Sequence, residues 1–144
     1  MTENKMTLTV DAISINVGFT RSVVAAFVSQ LNPTVEEVGD IKTAVSEAIT
    51  NCVVHAYSNN GGQAQIKVAV KGKIVEIEIV DYGQGIDDVA KAMQPFFTSS
   101  YCEERSGMGF TVMQAMMDTL DVTSSLGVGT TVKMTKKITS SVEV

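Results

Sequence analysis

The fold is decided by residues 34–57, which read TVEEVGDIKTAVSEAITNCVVHAY. Thr34 and Glu37 match a capping box, in which each side chain satisfies a backbone N–H group at the start of a helix. Apolar residues follow at helical spacing, namely Val38, Ile41, Val45, Ala48, Ile49, Cys52, Val53 and Ala56. A helical period sustained over about five turns predicts a long amphipathic helix with one face in the core.

Patterns on either side of this helix predict the rest of the fold. The predicted elements are a strand at 7–10, a helix at 17–31, hairpin strands at 66–70 and 74–80, a short helix at 87–93, a helix at 108–120, and hairpin strands at 121–125 and 131–136. Hairpins grouped between helices predict an α+β fold. We expect a two-layer sandwich whose mixed, mostly antiparallel sheet is covered on one face by three long helices.

Length and composition indicate one packed domain. The chain has 144 residues, of which 44% are apolar and 19% charged. We therefore expect a single domain over residues 1–144, with its core at about 8–136. The formal net charge of −5 disfavours direct nucleic-acid binding, which needs a basic face. No apolar run approaches the roughly 18 residues of a membrane span, and the N-terminus lacks the pattern of a secretory signal, so we expect a cytoplasmic location.

Three polar residues follow one side of the predicted helix. Glu47, Asn51 and His55 stand at i, i+4 and i+8. Each step climbs about 6 Å along the axis and drifts about 40° around it, so the three side chains form one stripe beside the apolar face. Taken alone, the stripe also fits the ordinary polar boundary of an amphipathic helix.

The hairpin strand at 74–80 leads into a carboxylate and two glycines, Asp81-Tyr82-Gly83-Gln84-Gly85. Alternation along the strand points Asp81 to the core side, where a carboxylate needs a partner or a ligand. Two later segments contain further glycines. Residues 106–109 (SGMG) open a helix, where free backbone N–H groups favour an anion, and residues 127–131 (GVGTT) read alone as a hairpin turn.

Together and in this order, the four segments resemble the boxes of the GHKL superfamily of ATPases and kinases. Glu47, Asn51 and His55 resemble its N box, and Asp81, Gly83 and Gly85 its first glycine box; residues 107–110 and 129–131 resemble the second and third. The resemblance covers roughly residues 8–136. Within the superfamily, the chain is most similar to small bacterial anti-sigma serine kinases of sporulation, whose lid resembles residues 95–98 (PFFT) and 104–110 (ERSGMGF).

The resemblance implies a pocket for ATP or ADP with Mg²⁺ between the sheet and the helices. Asp81 would accept the adenine amino group, and Gly83 would let the backbone approach the base. Asn51 would bind Mg²⁺, and Glu47 would be the catalytic base. The other implied contacts are Gly85, Thr130 and His55 in the pocket, Thr98, Ser106, Gly107, Met108 and Gly109 at the phosphates, and Arg105 as a catalytic contact to the γ-phosphate. For His55 a purely structural role is an equal alternative.

The resemblance also implies a partner-switching regulator of transcription. Such a protein binds and inhibits a sporulation sigma factor, and it inactivates an anti-anti-sigma factor by phosphorylating a serine. The family forms homodimers through the first strand and helix, and Arg21 is a candidate contact to an acidic partner, against a merely solvated position. Two alternatives stay open: an ATP-gated sigma-binding module without essential kinase activity, and a small GHKL ATPase or histidine-kinase-like domain.

Overall fold

A computed structural model describes residues 3–94 and 109–139 of the chain. Its strands are β1 (Glu3–Asp11), β2 (Gln63–Lys71), β3 (Ile74–Asp81), β4 (Thr119–Ser125) and β5 (Gly129–Lys137). Its helices are α1 (Ile15–Val28), followed by a 3-10 turn (Ser29–Leu31), α2 (Val35–Asn51), followed by a π-helical turn (Cys52–Ala56), α3 (Val89–Ala92) and α4 (Gly109–Met116). We call residues 52–56 the π-turn.

The strands form one sheet in the order β1-β2-β3-β5-β4. All four neighbouring pairs are antiparallel, so the expectation of a mixed sheet is wrong while the α+β sandwich is confirmed. The β2–β3 and β4–β5 pairs are antiparallel because tight turns at residues 72–73 and 126–128 join their strands. Val68, Ile77 and Met134 lie opposite one another across β2, β3 and β5 and are fully buried on the helix side.

The other face of the sheet is polar and balanced in charge. One row of cross-strand neighbours runs Lys67, Glu78, Lys133 and Asp121, so the sign of the charge alternates from β2 to β4. The Lys67 ammonium lies 3.6 Å from the Glu78 carboxylate. Opposite charges on adjacent strands stabilise their pairing modestly and keep this face soluble. Along the parts of the chain that the structure describes, none of the helices has the length and apolar character of a membrane span.

Helix α4, predicted at residues 108–120, ends earlier than the spacing of its apolar residues predicts. Within the described residues α4 ends at Met116, and Leu120 pairs with Met134 in the sheet, so the predicted helix to Leu120 is wrong. The chain turns at Asp118, whose backbone N–H donates to the Thr135 carbonyl at 2.9 Å. The Asp118 carboxylate then accepts from the backbone N–H of Lys137 at 2.7 Å. Leu120 fits a helical period and a strand period equally well, and these sheet contacts decide between them.

The predicted capping box at the start of α2 is present. The Thr34 hydroxyl accepts from the Glu37 backbone N–H at 3.1 Å, and Glu37 Oε1 accepts from the Thr34 backbone N–H at 2.9 Å. The second oxygen, Oε2, accepts from the backbone N–H and the hydroxyl of Thr139 at 2.8 and 2.7 Å. One buried carboxylate therefore fastens the chain after β5 to the start of α2.

These hydrogen bonds control the titration of Glu37. Burial alone raises the pKa of this carboxyl, but the donors on Thr34 and Thr139 outweigh burial and lower the pKa from 4.5 to about 2. A depressed pKa in the folded chain means that the stabilisation is complete above pH 4.5 and disappears as the pH falls towards 2.

We expect Glu37→Ala to lower the free energy of unfolding at pH 7 by about 2 kcal/mol, because it removes hydrogen bonds to a charged group at a helix cap. Glu36→Ala removes an exposed carboxylate from the same helical turn and should change stability by less than about 0.5 kcal/mol. Chemical denaturation at pH 7 and pH 3 measures both. Equal stability of the two variants at pH 7, or a Glu37→Ala deficit that does not shrink at pH 3, would contradict this account.

Candidate functional site

The carboxylate of Asp81 lies buried at the end of β3. Only 6% of this residue is exposed, which confirms the inward orientation predicted from the alternation. Oδ1 accepts from the backbone N–H groups of Gly83 at 3.0 Å and Thr130 at 3.3 Å. Oδ2 has one partner among the described residues, the thiol of Cys52, whose sulfur lies 3.8 Å away. A thiol is a weak donor, so Oδ2 keeps the capacity to accept a strong hydrogen bond.

Burial controls the titration of this pair. Desolvation raises the pKa of Asp81 against the lowering effect of its donors Gly83, Thr130 and Cys52. Desolvation and the neighbouring carboxylate raise the pKa of Cys52 far above its ordinary range, so the thiol stays protonated and donates to Asp81. Cys52 is buried in the core, as its helical spacing predicts, and it also contacts Asp81.

Two glycines after Asp81 let the chain turn between neighbouring backbones. A Cβ atom on Gly83 would lie 2.3 Å from the carbonyl oxygen of Ala56 in the π-turn. Gly85 has a φ of +79°, and a Cβ there would lie 2.2 Å from the carbonyl oxygen of Ser125. Ala56 therefore requires a glycine at position 83 whether or not a ligand is bound, and the expected approach of the Gly83 backbone to a base stays a prediction.

Thr130 contacts Asp81 through its backbone and the β4–β5 hairpin through its side chain. Its hydroxyl pairs with the Ser124 hydroxyl at 2.8 Å, and Ser124 Oγ also donates to the Gly129 carbonyl at 2.9 Å. The same Ser124 Oγ accepts from the backbone N–H of Ile86 at 2.7 Å. Ser124 thus ties the segment after the glycines to the hairpin, a role that its position in a plain strand pattern did not indicate.

The side chain of Tyr57 holds the turn after Asp81 against the start of β2. Its hydroxyl donates to the Gln63 carbonyl at 2.7 Å and accepts from the Tyr82 backbone N–H at 2.8 Å. A Cβ on Gly62 would lie 2.4 Å from the Tyr57 ring, so the ring occupies the space beside that glycine. The resemblance to the N box continues from His55 through Ala56 to Tyr57, and this pattern is the sequence signal for Tyr57.

The polar stripe on α2 is only partly continuous. Glu47 and Asn51 lie on α2, whereas His55 lies in the π-turn, where the Tyr57 N–H bonds the Cys52 carbonyl at 3.1 Å in an i to i+5 pattern. The π-turn replaces the α-helical spacing between Asn51 and His55, and the alignment of His55 with Glu47 and Asn51 stays a prediction. The side chains of Glu47, Asn51 and His55 belong to half-buried residues.

Glu47 and Arg21 line the same surface cleft between α1 and α2. The cleft lining consists of Arg21, Gly39, Lys42, Thr43, Ser46 and Glu47. The Arg21 guanidinium donates to the Ser46 hydroxyl at 3.4 Å, which holds it across the cleft from α2. A carboxylate and two cations in one open cleft can receive an extended polar segment of another molecule.

Part of the predicted site lies outside the described residues, namely Thr98, Arg105, Ser106, Gly107 and Met108. Gly109 is the first described residue of α4 and is buried. Within residues 3–94 and 109–139 there is no group of three or more His, Cys, Asp and Glu side chains that could hold a metal ion on its own. The predicted Asn51 contact to Mg²⁺ stays a prediction, and it fits a metal held jointly with phosphates.

The sequence matches a family described as the histidine kinase-like ATPase domain over residues 12–136. It is 56% identical over 137 residues to the anti-sigma F factor of Thermoanaerobacter sp. (strain X514). This match covers 95% of this chain and 96% of that protein. The anti-sigma F factor of Clostridium acetobutylicum is 49% identical, with the same two shares. That of Anoxybacillus flavithermus is 47% identical, covering 96% of this chain and 95% of the relative.

A solved structure has the same fold. The crystal structure of the RsbU and RsbW domains of a Mycobacterium tuberculosis protein superposes with a TM-score of 0.67 and 19% identity, over 94% of this chain and 32% of that one. At this identity the likeness supports the fold alone. The relatives and the family match support more: the chain belongs to the histidine kinase-like ATPase domain family and, within it, to the anti-sigma F factors.

Proposed function

We propose that this chain is an ATP-dependent protein-serine kinase that controls transcription by partner switching. It inhibits a sporulation sigma factor in the cytoplasm, where such factors act, and it phosphorylates a serine of the anti-anti-sigma factor. The observation that carries the proposal is the open cleft that Glu47 shares with Arg21. A protein substrate needs such access from outside, whereas a water nucleophile does not.

Base recognition is assigned to Asp81. An ionised carboxylate only accepts hydrogen bonds, so Oδ2 fits the amino group of adenine and repels the carbonyl oxygen that guanine carries at the same position. Oδ1 is already engaged by Gly83 and Thr130, which fixes the orientation of Oδ2. Gly85 and Thr130 hold the turn after Asp81 against the β4–β5 hairpin. The backbone carbonyl of His55 accepts a hydrogen bond from the side chain of Gln84 in the same turn.

Phosphate and metal contacts are assigned next to the base site. Asn51 stands one helical turn after Glu47, so both point to the same side of α2. Asn51 would hold Mg²⁺, which when bound neutralises phosphate charge and orients the phosphates. Thr98, Ser106, Gly107, Met108 and Gly109 are proposed phosphate contacts, and Arg105 is proposed to stabilise charge on the γ-phosphate. Glu47 would orient the partner serine and accept its proton.

We also propose a homodimer, supported by exposed apolar residues at the start of α1. Ile13, Ile15 and Phe19 are 44%, 81% and 53% exposed. Three large apolar side chains exposed within seven residues favour burial against another surface. Sedimentation equilibrium measures this directly, and a monomer at micromolar concentration would contradict it.

Glu47→Gln is expected to slow phosphoryl transfer to the anti-anti-sigma factor by at least about a hundredfold, because the amide cannot accept the serine proton. The affinity of the variant for ATP should stay within about threefold of wild type, since Glu47 is assigned to contact the serine of the partner and not the nucleotide. Intact-mass analysis of the partner over time measures the rate, and calorimetry measures ATP binding. Glu36→Gln, an exposed change on the same helix, should leave both unchanged.

A Glu47→Gln variant that transfers phosphate at the wild-type rate would contradict the assigned base. If wild type binds ATP and transfers nothing to the partner, the kinase proposal fails and an ATP-gated sigma-binding module takes its place. Binding of the sigma factor is proposed to need bound nucleotide but no phosphoryl transfer. If so, the Glu47→Gln variant should still inhibit transcription.

Asp81→Asn is expected to weaken ATP binding by about ten- to a hundredfold. The backbone donors of Gly83 and Thr130 select the amide oxygen, so the amide NH₂ takes the place of Oδ2 and opposes the amino group of the base. Because burial raises the pKa of Asp81, the wild-type affinity should also fall on acidification before an ordinary aspartate would protonate. Asp121→Asn on the open face of the sheet removes the same charge and should change nothing. Calorimetry that gives both variants wild-type affinity would contradict the assignment.

A further inference from the structure

Gln84 makes three hydrogen bonds at the centre of the base-binding turn. Its backbone N–H donates to the Ala56 carbonyl at 3.0 Å, and its backbone carbonyl accepts from Gly127 at 2.8 Å. Its side-chain amide donates to the His55 carbonyl at 2.6 Å. The residue is exposed, yet it connects the π-turn to the β4–β5 hairpin.

The contacts with the π-turn satisfy the end of the longest helical segment. The last carbonyl groups of a helix have no partners within the helix and need donors from elsewhere. Here Gln84 supplies donors for the carbonyls of both His55 and Ala56, one from its side chain and one from its backbone. Gly83 lies against the same Ala56 carbonyl. The turn that holds Asp81 is therefore also the C-terminal cap of the helix that holds Glu47 and Asn51.

We infer that Gln84 is a positioning residue, which fixes the base-binding turn relative to the helix carrying Glu47 and Asn51 through its amide contact with the His55 carbonyl. The inference rests on the proposed function, since it concerns the same nucleotide. A rigid connection is required because one nucleotide must reach Asp81 with its base while its phosphates lie beside Asn51. A loosened cap lets the two sites move apart and weakens binding at both.

The side chain can be tested separately from the backbone. Glutamate and alanine at position 84 both keep the backbone N–H that reaches Ala56, so Gln84→Glu and Gln84→Ala remove only the contact with His55. Glutamate has the length of glutamine but no N–H, and its charge opposes the His55 carbonyl. Gln65→Glu and Gln65→Ala make the same two changes in β2, opposite Val80 but on the face of the sheet away from the helices, and control for the added charge.

The experiment combines ATP calorimetry with amide hydrogen exchange of the nucleotide-free full chain. We expect both Gln84 variants to bind ATP about three- to tenfold more weakly, as for the loss of one hydrogen bond. We also expect several-fold faster exchange of the Tyr57 and Asn59 amides, which donate to the Cys52 and Val53 carbonyls of the π-turn. The Gln65 variants should match wild type in both measurements.

Three results overturn the inference: wild-type ATP affinity in the Gln84 variants, weakened affinity with unchanged exchange at Tyr57 and Asn59, or the same loss in the Gln65 variants. The second result would make Gln84 a direct contact to the nucleotide. Failure of the proposed function looks different, because wild type itself would then not bind ATP. Faster exchange confined to the Gln84 variants would still establish the cap in that case.

Discussion

Burial of the Asp81 carboxylate is the constraint on which the site depends. A charged group in the core needs donors, and this one receives them from three separate parts of the chain: the turn after β3, the start of β5 and the π-turn. The two strong donors converge on Oδ1, whereas Oδ2 faces only a thiol. The fold therefore stabilises the charge incompletely and leaves one oriented acceptor for a ligand.

Close backbone packing enforces this arrangement. At Gly83, Gly85 and Gly129 a Cβ atom would lie 2.1–2.3 Å from a carbonyl oxygen of a neighbouring segment. Gly129 has a φ of +144° and lies against Asp81 itself. Main chains that touch without side chains between them cannot shift independently, so a displacement at the π-turn reaches the Asp81 turn and the β4–β5 hairpin. This packing is the physical basis for treating base and phosphate recognition as one unit.

Local patterns predicted much of the fold because local physics decides it. The Thr34–Glu37 cap, the two hairpins and the inward Asp81 follow from neighbouring residues alone, and the structure confirms them. The π-turn was missed because Cys52, Val53 and Ala56 fit α-helical spacing, while the contacts that favour a wider turn come from Gln84, far along the chain. The end of α4 was missed because only pairing with β5 distinguishes a strand from a helix at Leu120. The partners of Gly83 and Gln84 are likewise tertiary, and the phosphate-side residues rest on the family resemblance.

Binding of ATP compared with GTP tests the central claim most directly. Both nucleotides carry the same phosphates and would engage Mg²⁺ equally, so a difference in affinity reports on the base site. With Asp81 Oδ2 as the acceptor, ATP should bind at least about tenfold more tightly than GTP in calorimetry, because guanine places an oxygen against the carboxylate. Equal affinity for the two nucleotides would contradict the account, since it would mean that the buried carboxylate does not select the base.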